Sequence, residues 1–299
     1  MLARLLQGLV FGLIALALGG AFWWWQEGRP VVAVAWLLFV LGLHAWVLAL
    51  EFALLRRAHG DDPAPRASAG QLLRAWWHEA LAAPVVFGWR QPFRSRAELD
   101  HVPPDALGRR GVLLVHGFVC NRGLWNPWMR RLRAQGTPFV AVNLEPVFGS
   151  IDASAPTLEA AVRQLEAATG LAPVAVGHSM GGLALRAWLA SDGRRERLHH
   201  VITLGTPHHG TWLARFALTR NARQMQQLSR WLQALEAREP PGHGARFTCF
   251  YSHCDNIVFP PCTATLAGAD NRHVPGHAHV HLASHEGWWQ ELQAWLSRR

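Results

Sequence analysis

Two apolar runs open the chain. Leu5 to Trp25 is interrupted only by Gln7, and the polar residues of Val31 to Leu55 are His44 and Glu51. Each run reaches the roughly 20 residues a helix needs to cross a bilayer core, and neither shows a polar face. "QEGRP" between them, residues 26–30, predicts a tight turn and therefore a transmembrane helical hairpin. Trp23, Trp24 and Trp25 stand beside that turn, where indole rings favour the membrane interface. Arg4, the apolar stretch after it and "GGA" at 19–21 also fit a cleaved signal peptide, in which case the second run remains a span. Glu51, near the inner end of its helix, can snorkel or pair with Arg56, while His44 reads as a tolerated polar residue. "HGDDPAPRASAG", His59 to Gly70, is a polar linker. Gln71 to Ala82 then predicts a helix whose Leu72, Leu73, Trp76, Trp77 and Leu81 can lie on a membrane surface or pack on the domain that follows.

From Arg110 the periodicity changes. Short continuous apolar runs at 111–117, 138–144, 173–177, 200–205 and 246–252 alternate with helical patterns at 125–135, 157–169 and 180–191. Runs without in–out alternation are buried on both faces, so the pattern predicts an α/β domain, a mostly parallel sheet flanked by helices. An insertion at 211–244 places Met225, Leu228, Trp231, Leu232 and Leu235 on one helical face, which suits either a lid or a helix packed on the core. The chain thus divides into a transmembrane hairpin (1–58), a linker with an amphipathic juxtamembrane segment (59–109) and an α/β domain (110–299).

Charge adds little to this picture. The 299-residue chain carries +9, but every basic residue among its 29 is arginine and they are scattered, so no nucleic-acid partner is implied. Cys120, Cys249, Cys254 and Cys262 form no CxxC pair and read as free thiols in a reducing compartment; a Cys249–Cys262 or Cys254–Cys262 bridge is the alternative for an extracytoplasmic domain. Arg4 before the first run, and Arg56 and Arg57 after the second, place both ends of the chain on the cytoplasmic side of a bacterial inner membrane.

Candidate chemistry sits in "PVAVGHSMGGLALRAWLA", Pro173 to Ala190. Gly177-His178-Ser179-Met180-Gly181 fits G-x-S-x-G between a strand and a helix, where a sharp turn exposes the serine and a side chain at either glycine would strike neighbouring backbone. "LVHGFVCN" leaves a strand end at His116-Gly117, so that the Phe118 and Met180 backbone N–H groups can face a common oxyanion. His116 itself reads as a loop-holding residue. An acid and a base are expected after later strands. "FYSHCDNIVFP" supplies Asp255, with Asp270 the rival, and the frame G-x-x-H-x-x-L from Gly276 selects His279 from a run that also offers His277 and His281. His208 and His209 of "GTPHHG", with "HAHVH", raise a zinc reading, but no carboxylate or cysteine is spaced to complete a ligand set, so no metal or other cofactor is expected.

"HGFVCNRGLW", "GHSMGGL", "GTPHHGT" and "SHCDNIVFP" together resemble the α/β-hydrolase superfamily, in its bacterial lipase/esterase branch, over Arg110 to Arg299. The resemblance implies a Ser179–Asp255–His279 triad, Phe118 and Met180 as oxyanion donors, and hydrolysis of carboxylic esters through an acyl-enzyme; the membrane anchor, by proximity, favours lipid-like esters. An acyltransferase or thioesterase shares the same constellation, and a non-catalytic membrane-tethered binding protein on this fold is the alternative of another class.

Overall fold

The computed structural model describes residues 1–191 and 196–298. Six parallel strands build one sheet in the order β2-β1-β3-β4-β5-β6: β1 (Val112–Val115), β2 (Phe139–Ala141), β3 (Val174–His178), β4 (His200–Leu204), β5 (Phe247–Tyr251) and β6 (Asp270–His273). The five apolar runs are the first five of these strands. Along β1 the side chains alternate between two cores. Leu113 and Val115 join the helices Ala155–Thr169 and Met180–Leu189 on one face, whereas Val112 and Leu114 meet a tryptophan-rich layer of Trp125, Trp128, Trp288 and Trp289 on the other. Burial on both faces explains why the strands read as unbroken apolar runs.

The first apolar run is one helix, α1 (Leu2–Gln26), the only single helix among the described residues long and apolar enough to cross a membrane. The second departs from expectation. It breaks at Gly42 into α2 (Pro30–Leu41) and α3 (Leu43–Ala58), bent by 55°. Gly42 and Ala45 carry the chain through the break, and His44 Nδ1 takes up the Leu41 carbonyl left at the end of α2 (3.1 Å). Beyond the bend α3 turns one face onto the α/β domain. Phe52 and Leu55 are buried with Cys254, Phe259 and Ala278 of the α/β domain, burial worth about 1.5–3 kcal/mol for each large side chain.

The helix foreseen after the linker is α4 (Ala69–Ala83), opened by a capping box of Ser68 and Gln71 and lying against α3, where Trp76 Nε1 donates to the Ala45 carbonyl (2.9 Å). It continues into a π-helix, Pro84–Arg90, which no sequence pattern announced.

In the 211–244 insertion the expected helical face is interrupted. Leu228 is 84% exposed at φ 57°, and the helix is Arg230–Arg238. Leu232 and Leu235 of that helix are buried against the domain. The four cysteines are unpaired.

Candidate active site

The chemistry-bearing residues gather at the carboxyl edge of the sheet, where every strand of a parallel sheet delivers the residues that follow it. Ser179 follows β3 directly, at φ 55° and ψ −127°, a conformation costing a non-glycine residue of order 1–3 kcal/mol. Bonds on both sides hold it there: its N–H donates to the Leu204 carbonyl, and its own carbonyl accepts from Thr206 Oγ1, both at 2.9 Å. The turn leaves no room for side chains beside it. A Cβ on Gly181 would lie 2.5 Å from the Val115 carbonyl oxygen, and one on Gly177 would lie 2.7 Å from the Gly182 nitrogen.

The loop after β1 comes against this turn. A Cβ on Gly117 would sit 2.7 Å from the Ser179 Cβ, so Phe118 starts beside the serine. Neither the Phe118 nor the Met180 backbone N–H has a protein acceptor among the described residues. His116 spends both ring nitrogens on the loop. Nδ1 donates to the Gly117 carbonyl (2.9 Å), and Nε2 accepts from the Leu144 N–H (3.0 Å). Burial pushes its pKa down to about 4, so the ring is neutral and fully occupied.

Asp255 follows β5. Its Oδ1 accepts from the Ile257 and Val258 N–H groups at 2.9 and 2.8 Å, and its Oδ2 accepts from His279 Nδ1 at 2.9 Å. Both partners of that last bond are buried. Burial opposes a charged His279, but the Asp255 charge and hydrogen bond outweigh it and raise the imidazole pKa above 6.5. The rival acid Asp270 instead pairs with Arg272 (2.7 Å) on the surface. His281 and His277 stack on each other 4.6 Å apart, His281 also packing edge-on against His78. His208 hydrogen-bonds Thr203 and His209 bonds Glu236. No cluster of three or more residues suited to a metal ion occurs among the described residues.

The backbone of His279 is pinned by groups that sequence reasoning missed. Its N–H donates to Asn256 Oδ1 (3.1 Å), and its carbonyl accepts from His178 Nε2 (3.0 Å). The two next N–H groups, of Val280 and His281, donate to the two carboxylate oxygens of Glu79 on α4 (2.8 and 2.9 Å). Burial raises the Glu79 pKa to about 7 in spite of those bonds. Asn256 is in turn held by Glu51 of α3, whose Oε2 accepts from Asn256 Nδ2 at 2.6 Å. Glu51 therefore reaches across 205 positions to the site rather than pairing with Arg56. The local signal for these contacts was weak: a carboxylate in each of two apolar helices and an asparagine beside the acid.

Ser179 and His279 face a common cavity of about 510 Å³. No hydrogen bond joins them among the described residues, a looseness common before substrate binds. The cavity is walled chiefly by apolar side chains, including Leu13 of α1, Leu43, Val47 and Leu48 of α3, and Phe118 and Val258. From the insertion only Thr211 and Met225 reach it.

A family model described as "Alpha/beta hydrolase family" matches residues 112–297. The fold is similar to that of the lipase BlEst2 of Bacillus licheniformis in mature form, with a TM-score of 0.58 at 17% identity over 67% of this chain and 98% of that one. It is also similar to lipase B of Aspergillus fumigatus, with a TM-score of 0.50 at 18% identity over 64% of this chain and 54% of that one. No curated protein sequence matches the chain.

Proposed function

The chain belongs to the alpha/beta hydrolase family, and on that premise we propose that it is a membrane-anchored serine hydrolase of lipid-like carboxylic esters. The observation that carries the reading is the pairing of a strained Ser179, at the carboxyl edge of the sheet, with a buried Asp255–His279 couple on one apolar cavity. Ser179 Oγ attacks the ester carbonyl and its proton passes to His279 Nε2. Asp255 keeps Nδ1 protonated and favours the imidazolium that forms. The Phe118 and Met180 N–H groups receive the oxyanion of the tetrahedral intermediate. His279 returns the proton to the leaving alcohol, and water activated by the same nitrogen then releases the acid from Ser179.

The anchor is α1 with α2. Met1 lies against Glu145 (3.3 Å), and Leu2 and Leu6 pack with Val147. Both ends of the hairpin meet the same domain, which supports one side of a membrane for both, and the arginine rule favours the cytoplasmic side. That packing also speaks against removal of the first run as a signal peptide. We take residues 1–58 as the segment that carries the anchor and returns through α3 to the domain, 59–109 as its connection and 110–299 as the hydrolase domain. An ester panel from acetate to long acyl chains tests the function: the full chain in detergent hydrolyses esters and the Ser179→Ala protein does not. Equal turnover by both proteins refutes it.

A further inference from the structure

The cavity beside Ser179 is not closed by the domain that supplies the serine. Leu13 of α1 and Leu43, Val47 and Leu48 of α3 form one of its walls. Among the described lining residues the only ones more than a third exposed are Leu43 (40%) and Val47 (50%), so the open rim of the cavity lies on α3. The surface around that rim is apolar. Trp46 and Leu50 of α3 are exposed beside it. On α4 and the π-helix, Leu73, Trp77, Leu81, Val85 and Trp89 recur at every fourth position and are all exposed, while Leu72 and Trp76 of the same helix face the protein. An apolar ridge of this length, on the helix packed against the α3 that carries the rim, is a surface built for hydrocarbon rather than water.

The hairpin gives the depth. α1 touches the domain as far as Leu13, and from there to Gln26 it packs on α2. At 1.5 Å per residue that outer part is about 20 Å long, shorter than a hydrocarbon core of about 30 Å. A hairpin of that reach fully immersed in a bilayer draws the base of α3 and the ridge of α4 to the level of the acyl chains.

We propose that the ester reaches Ser179 sideways from the bilayer, its acyl chain passing the Leu43–Val47 rim and lying against Leu48 and Leu13, so that the N-terminal helices are the acyl-binding wall of the enzyme. This rests on the hydrolase reading above and names its substrate class as a bilayer-resident acyl ester. Water-soluble short esters need no such wall.

The test uses the full chain in phosphatidylcholine vesicles, with wild type, Leu48→Trp and Val47→Trp. Leu48 is buried and its variant fills the wall; Val47 is on the rim, where a larger side chain does not disturb packing. Both are expected to lower the ratio of decanoate-ester to acetate-ester kcat/KM by tenfold or more. Fluorophosphonate labelling of Ser179 is read in parallel. If wild type is labelled and active but both variants keep its chain-length ratio, the acyl wall lies elsewhere and the proposal is overturned. If wild type is neither labelled nor active, the hydrolase reading itself falls and the proposal with it.

Discussion

Replacing Asp255 by asparagine separates the chemistry of the acid from its structural duty. The carboxylate makes two kinds of bond: Oδ1 caps the Ile257 and Val258 N–H groups, and Oδ2 holds His279. Alanine would orphan the buried Val258 donor, at about 1–3 kcal/mol, and the part-buried Ile257 donor beside it, and confound inactivation with unfolding. Asparagine keeps an oxygen for those donors and turns its NH₂ toward His279. The imidazole must then accept at Nδ1 and carry its proton on Nε2, the nitrogen that should take the proton from Ser179. The fold is expected to survive with little change in Tm, while kcat falls by ~10⁴-fold, the loss found when a triad acid is made neutral. The assay is hydrolysis of p-nitrophenyl butyrate by the full chain at neutral pH, beside a thermal unfolding scan. A folded Asp255→Asn protein within tenfold of wild type would refute the role given to Asp255.

Other expectations follow from the groups around His279. Its raised pKa moves the acid limb of kcat/KM above the ordinary histidine range, because the protonated ring cannot serve as base and activity falls as pH drops through that raised pKa. Glu79, whose burial leaves it only partly ionised near pH 7, still favours the imidazolium when charged, so Glu79→Gln should move the limb modestly to lower pH; a limb that rises in the pH profile contradicts this. Glu51→Leu is expected to cut kcat by roughly 10–100-fold through misplacement of Asn256 and His279, and Glu51→Gln, which still accepts from Asn256, to recover most of it; steady-state kinetics of the pair would exclude the link if both behave alike. Fusions after Arg299 should give bright green fluorescent protein and inactive alkaline phosphatase, and the reverse places the domain outside the cytoplasm.

How much of this was legible along the chain depends on how local each cause is. β1 to β5 announce themselves because a strand buried on both faces must be apolar throughout, and Ser179 does because its turn excludes side chains at Gly177 and Gly181. The frame around His279 and the position of Asp255 after a strand are equally local. The break at Gly42 was hidden, since hydropathy reports that α3 avoids water but not whether lipid or protein covers it. Glu51 and Glu79 show the same limit: each meets its partner some 200 positions away, at Asn256 and at Val280 and His281. The smooth helical face drawn through Leu228 failed because the positive φ there serves a turn between two short helices, Arg220–Gln224 and Arg230–Arg238.

The proposed chemistry stands on Ser179 as a nucleophile activated by His279. Reacting the full chain with a fluorophosphonate and mapping the adduct by mass spectrometry tests it most directly. One stoichiometric phosphonyl adduct on Ser179 is expected, formed rapidly in wild type and slowed by orders of magnitude in His279→Ala. No adduct on Ser179 in folded wild type, or an adduct formed equally fast without His279, would contradict it.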